Sequence, residues 1–155
     1  MVKLAIFSVF ALCVFKSISC ERVEFGDCGS QMSTLKEVDI TPCPQATEKR
    51  PCQLKRGTEE TIEVKFTPKE NITAATTKVY GTVAGIRVPF SVDNPNACED
   101  QGITCPMIAG KDYTFKTVLP IKSIYPSVDV IVQWEMQDQD KNMVYCWIVT
   151  AHVSG

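Results

Sequence analysis

The chain has 155 residues, enough for one domain of ordinary size, and its 45% apolar and 22% charged content excludes intrinsic disorder. Its formal net charge is -2, and the 16 basic residues neither cluster nor interleave with aromatics, which excludes a nucleic-acid-binding surface of the usual kind.

A single charge at Lys3 precedes an apolar run over residues 4–15. That is the pattern of a secretory signal, and the run falls short of the roughly 20 residues that span a bilayer. Residues 1–20 are expected to be removed on secretion, leaving one domain over 21–155 in an extracellular compartment.

Cysteines stand at positions 13, 20, 28, 43, 52, 98, 105 and 146. Cys13 lies in the signal, and cleavage after Cys20 leaves six, an even number suited to a disulfide framework. Six cysteines allow many connectivities. The simplest pairs Cys43 with Cys52 and Cys98 with Cys105, each across a segment containing Pro or Gly, and leaves Cys28 to join Cys146 and tie the two ends together. There is no C-x-x-C pair, and the sole histidine, His152, has no ligand spacing with the cysteines, so no metal site is expected.

After a short candidate strand at 22–25, a period of two begins at 61–66, where Ile62, Val64 and Phe66 alternate with Thr61, Glu63 and Lys65. Further candidates follow at 78–84, 87–92 and 113–119. The pattern is clearest at 128–136, where Val128, Val130, Val132, Trp134 and Met136 share one face, and the last candidate is 144–153. No window carries a helical period and 9 prolines punctuate the chain, which excludes long helices. About seven half-buried strands predict an all-β sandwich or barrel. The sequon Asn71-Ile72-Thr73 falls in a turn between strands, where a glycan is expected on Asn71.

Nucleophilic catalysis needs a nucleophile beside a base, and His152 reads as a structural residue of the last strand. The acidic pairs Glu59 with Glu60 and Asp138 with Asp140 fall in polar, turn-like stretches and read as solvated charge. No catalytic residue or cofactor is expected. Bulky apolar groups gather near turns at 88–90 and 119–126, where they suit either ordinary core or the closed end of a hollow sandwich.

More specific are V-E-F-G-D-C-G-S over 23–30, K-E-V-D-I-T-P-C-P over 36–44, P-C-Q-L-K-R-G over 51–57, V-P-F over 88–90, I-T-C-P over 103–106, L-P-I-K-S-I-Y-P over 119–126 and C-W-I over 146–148. Together they resemble the Niemann-Pick type C2 sterol-carrier family, an ML lipid-recognition domain related to the group 2 mite allergens. The resemblance covers nearly all of 21–153. It implies an immunoglobulin-like β-sandwich of two antiparallel sheets, with the three disulfides named above and an internal apolar cavity that widens around a sterol or acyl chain. Carried over position by position, it implies a cavity mouth at Val88, Phe90, Ile121 and Tyr125, an adjoining loop held by Pro120 and Pro126, and wall positions at Trp134 and Trp147. It further implies a monomeric carrier, secreted or lysosomal, that passes its lipid between membranes or to a membrane sterol transporter or receptor. The charged segment over 48–50 and Ser91 after Phe90, where proline is common, resemble the arthropod branch, which carries fatty acids or semiochemicals or binds microbial lipids.

Mass spectrometry of the secreted protein is expected to find Glu21 first and no cysteine that alkylates without prior reduction.

Overall fold

Nine strands and a short 3-10 turn at Pro44–Glu48 organise residues 22–155, which are those the computed structural model describes. The expected signal over 1–20 lies outside them. In chain order the strands are β1 Gly26–Asp27, β2 Ser33–Thr41, β3 Cys52–Lys55, β4 Thr58–Pro68, β5 Ala75–Val83, β6 Ile86–Phe90, β7 Tyr113–Ile121, β8 Asp129–Asp138 and β9 Met143–Ser154. The larger sheet runs β1-β9-β8-β5-β6, and β3 joins it beside β9 as its only parallel pair among the described residues. The smaller sheet, β2-β4-β7, is antiparallel throughout. Stacked face to face, they form an immunoglobulin-like sandwich.

The period of two correctly located β4 to β9, and strand pairing lengthens most of them beyond the alternating core. Three readings are corrected. The segment 22–25 is no strand: Arg22 makes one isolated bridge to Asp39, and the first paired strand is Gly26–Asp27. Strands β2 and β3 were not foreseen. In β2 a register shift between Leu35 and Glu37 breaks the alternation, so Leu35 pairs with Phe66 while Val38 and Ile40 resume opposite Val64 and Ile62. The four residues of β3 are too few to show a period, and they are held by pairing to Ala151, His152, Val153 and Ser154. Finally, Glu60 and Asp138 are buried rather than solvated. Glu60 shares the inward parity of Ile62, Val64 and Phe66 on β4. Asp138 Oδ1 accepts the amides of Asp140 and Asn142, each at 2.8 Å, and so closes the turn between β8 and β9.

Aromatic side chains fill one end of the space between the sheets. Trp134 and Trp147, directly opposite on β8 and β9, stack at 5.6 Å with planes 5° apart, and Phe115 from the smaller sheet meets Trp134 at 6.3 Å. One row further, Phe66 meets Tyr145 edge-on at 5.0 Å. Burial pushes the Tyr145 phenol well above its ordinary value of 10.

Three disulfides close the fold with the pairing read from the sequence: Cys28–Cys146, Cys43–Cys52 and Cys98–Cys105. Their sequence separations are 118, 9 and 7. Chain entropy therefore ranks them, with about 5 kcal/mol for the long loop and about 2.5 kcal/mol for each short one. Replacing Cys28 and Cys146 together by Ala is expected to lower Tm more than replacing either short pair, as read by circular dichroism. Equal losses for all three pairs would contradict that ranking.

Candidate functional site: an apolar cavity with an aromatic mouth

Side-chain bulk falls steadily along the inner faces of the sheets. Past the Trp134–Trp147 pair, the next rows of the larger sheet hold Gly81 with Val132 and Val149, then Val130 with Ala151. Valine, alanine and glycine cannot fill the width that two stacked indoles set. A cavity of about 80 Å³ results, walled by Val79, Val83, Val130 and Val132 from the larger sheet and by Leu119 and Ile121 from β7. Leu54 of β3 and Val153 of β9 border it as well. No lining residue carries a charge, so the wall offers water almost nothing to hydrogen-bond and suits hydrocarbon.

Two rings close the cavity. Phe90, the last residue of β6, meets Tyr125 edge-on at 5.3 Å with planes 88° apart. The Phe90 ring folds over the sheet because position 81, beneath it, lacks a side chain. A Cβ on Gly81 would stand 2.4 Å from Phe90 Cε2 and 3.1 Å from Val130 Cγ2. Tyr125 is carried by the loop after β7. The Ile121 carbonyl accepts the Gly57 amide at 2.6 Å at the start of this loop, and the Val128 carbonyl accepts the Val153 amide at 2.9 Å at its end. Between them the Tyr125 carbonyl accepts Arg56 Nη1 at 3.3 Å, a long bond at the middle of the arch.

Of the residues assigned to the mouth and its loop, Phe90, Ile121, Tyr125 and Pro126 come together on the cavity. Val88 shares the inner face of β6 with Phe90 yet is 45% exposed, because the three-stranded sheet does not extend far enough to cover that edge. Pro120 has the opposite parity to Ile121 and faces a neighbouring groove. Trp134 and Trp147 do not border the cavity; they form the packed core at its closed end. The sequence reading missed Leu54, Val79 and Gly81. Leu54 lies on a strand without a periodic signal, and a glycine's service to a ring nine residues away leaves no trace in composition. His152 lies on the outer face of β9, with Nδ1 2.7 Å from Asp129 Oδ1.

The ML-domain family model matches residues 22–153. The mouse protein named NPC intracellular cholesterol transporter 2 is 34% identical over 148 residues, 96% of each chain. The Drosophila melanogaster protein named NPC intracellular cholesterol transporter 2 homolog a is 38% identical over 153 residues, 99% of each chain. Among solved structures, a Niemann-Pick type C2 protein from Japanese carpenter ant superposes with a TM-score of 0.79 at 23% identity, covering 84% of this chain and 99% of that one. Sandwich, disulfides and sequence similarity run through the same residues, and the chain belongs to the ML-domain family and, within it, to the Niemann-Pick type C2 proteins.

Proposed function

We propose that this protein is a lipid carrier, not an enzyme: it holds a sterol or long-chain fatty lipid between its two sheets and releases it at a membrane or to a membrane transporter or receptor. The observation that carries this reading is the uncharged cavity at the aliphatic end of the sandwich, closed by Phe90 and Tyr125. A cavity of about 80 Å³ is smaller than any such ligand, so the mouth must part and the sheets must spread around the guest. What resists parting of the mouth itself is modest, since the Phe90–Tyr125 pair and the Arg56 bond contribute about 1 kcal/mol each. Burial of roughly 400 Å² of hydrocarbon contributes on the order of 10 kcal/mol before ordering costs, which is ample to drive it. Relatives named as cholesterol transporters favour a sterol among the candidate guests.

The carrier acts as a secreted or lysosomal monomer, with the glycan on Asn71. That residue is exposed and its Oδ1 accepts the Ala109 amide at 2.9 Å, which leaves the amide nitrogen to bear the sugar. No helix among the described residues is long and apolar enough to cross a membrane.

Native mass spectrometry is expected to find one sterol or fatty lipid per chain, without turnover. Phe90→Ala and Tyr125→Ala should speed release and change affinity several-fold while Tm shifts by only a few degrees, because both residues pack at an opening. If neither a fluorescent sterol nor a fluorescent fatty acid binds, the carrier reading fails; if both variants behave like wild type, the mouth lies elsewhere. Gly81→Ala should displace the Phe90 ring and likewise speed release, measured by stopped-flow transfer to vesicles.

A further inference from the structure

Beside the mouth lies a second, larger hollow of about 380 Å³ that a purely apolar guest leaves unused. It shares Leu119 and Tyr125 with the lipid cavity, so the two spaces meet across these side chains. One bank is the connection that follows β6, with Asp93 and Asp100; the other is β7 and the loop behind it, with Lys116 and Lys122. Gln101 holds the first bank in place. It is only 5% exposed, its Nε2 donates to the Asn94 carbonyl at 2.8 Å, its own carbonyl accepts the Lys116 amide, and its Oε1 has no partner. Lys116 leans toward Glu63 at 3.8 Å. Lys122, Asp93 and Asp100, by contrast, form no ion pair among the described residues.

The presence of both charge signs on one groove suits a particular kind of lipid. Because the cavity wall is uncharged, an ionic head cannot follow its chain inside without a large desolvation cost, and it must stop where the chain emerges. There it enters the groove that shares Leu119 and Tyr125 with the cavity, with Lys116 and Lys122 on one bank and Asp93 and Asp100 on the other. Cations on one bank and carboxylates on the other complement a head that carries both an anion and a cation. We propose that this groove is a headgroup site and that single-chain zwitterionic lipids, bearing a phosphate and a quaternary ammonium, are a preferred ligand class. The inference rests on the carrier reading of the cavity. A fatty acid would engage the lysine bank alone, and a sterol hydroxyl would leave both charged banks unpaired.

The test compares four probes on the full mature chain: hexadecylphosphocholine, hexadecyl phosphate, hexadecanol and cholesterol, each below its aggregation threshold, by displacement of a fluorescent lipid. Hexadecylphosphocholine is expected to bind tightest, about fivefold tighter than hexadecyl phosphate and more than that over hexadecanol, as suits partly exposed charge pairs. Lys122→Gln should weaken both charged probes, whereas Asp93→Asn combined with Asp100→Asn should weaken the phosphocholine alone. Hexadecanol should bind all variants equally, which shows that they remain folded. The proposal is overturned if the phosphocholine binds no tighter than the phosphate, or if its advantage survives both sets of substitutions. Should hexadecanol and cholesterol also fail to bind wild type, the carrier reading itself falls, and the headgroup site with it.

Discussion

The stacked pair Trp134–Trp147 sets the distance between the sheets, and the rest of the molecule follows from that spacing. A protein interior normally collapses onto any void, because each cubic ångström left unfilled costs roughly 24 cal/mol, or about 2 kcal/mol for a cavity of this size. Here collapse is prevented at one end by indole, phenol and phenyl rings too large to yield, while the rows beyond them carry only small aliphatic groups. The sheets are thus propped apart by one half of their own core. Cys28–Cys146 secures that half, since Cys146 sits beside Trp147 on β9 and its partner anchors the N-terminal segment.

Strength and weakness are consequently separated along the sandwich. The aromatic end is closed by fully buried rings from four strands. At the aliphatic end the closure depends on one edge-on ring pair and a loop that the Tyr125 amide braces internally on the Lys122 carbonyl at 3.1 Å and a long Arg56 bond ties to the rest of the fold. Edge strand β6 adds to the asymmetry. The larger sheet is wider than the smaller one, so the inner faces of Ile86 and Val88 lie uncovered beside the mouth. On the carrier reading, a guest enters by displacing a ring and a loop and the sheets then spread at the aliphatic end, while the packed half stays intact. Local opening of this kind draws on the low-stability end of a fold's energy spectrum, where few buried contacts are lost.

The polar groove continues the same logic outward. On the headgroup proposal the two spaces divide the two chemistries of an amphiphile: hydrocarbon walls inside, charged banks outside, joined over Leu119 and Tyr125. Their boundary lies on β7, where strand parity turns Leu119 and Ile121 inward, while Val118 and Pro120 face the groove and Lys122, just past the strand, lines it too. A single alternating strand thereby serves as the wall of both.

How much of this was legible in the residues differs from one feature to the next. Alternation at 61–66 and 128–136 announced strands because each has one dry and one wet face, a property of the local chain. Disulfide pairing was readable for the same reason, since two of the three loops are short. Motifs around Phe90 and over 119–126 marked the mouth region through resemblance, and four of the residues so marked meet on the cavity. The sequence by itself thus determined the all-β class, the cross-links and, through the resemblance, segments that border the cavity. Only the tertiary structure decided which inward residues pack and which enclose space. Trp134 and Val132 lie two residues apart on one face of β8, and nothing local distinguishes the core residue from the cavity wall. That difference depends on what the facing rows contribute in volume, on the absent side chain of Gly81 beneath Phe90, and on β3 bringing Leu54 against β9. Each is a sum over residues distant in sequence, and such sums exist only once the chain has folded.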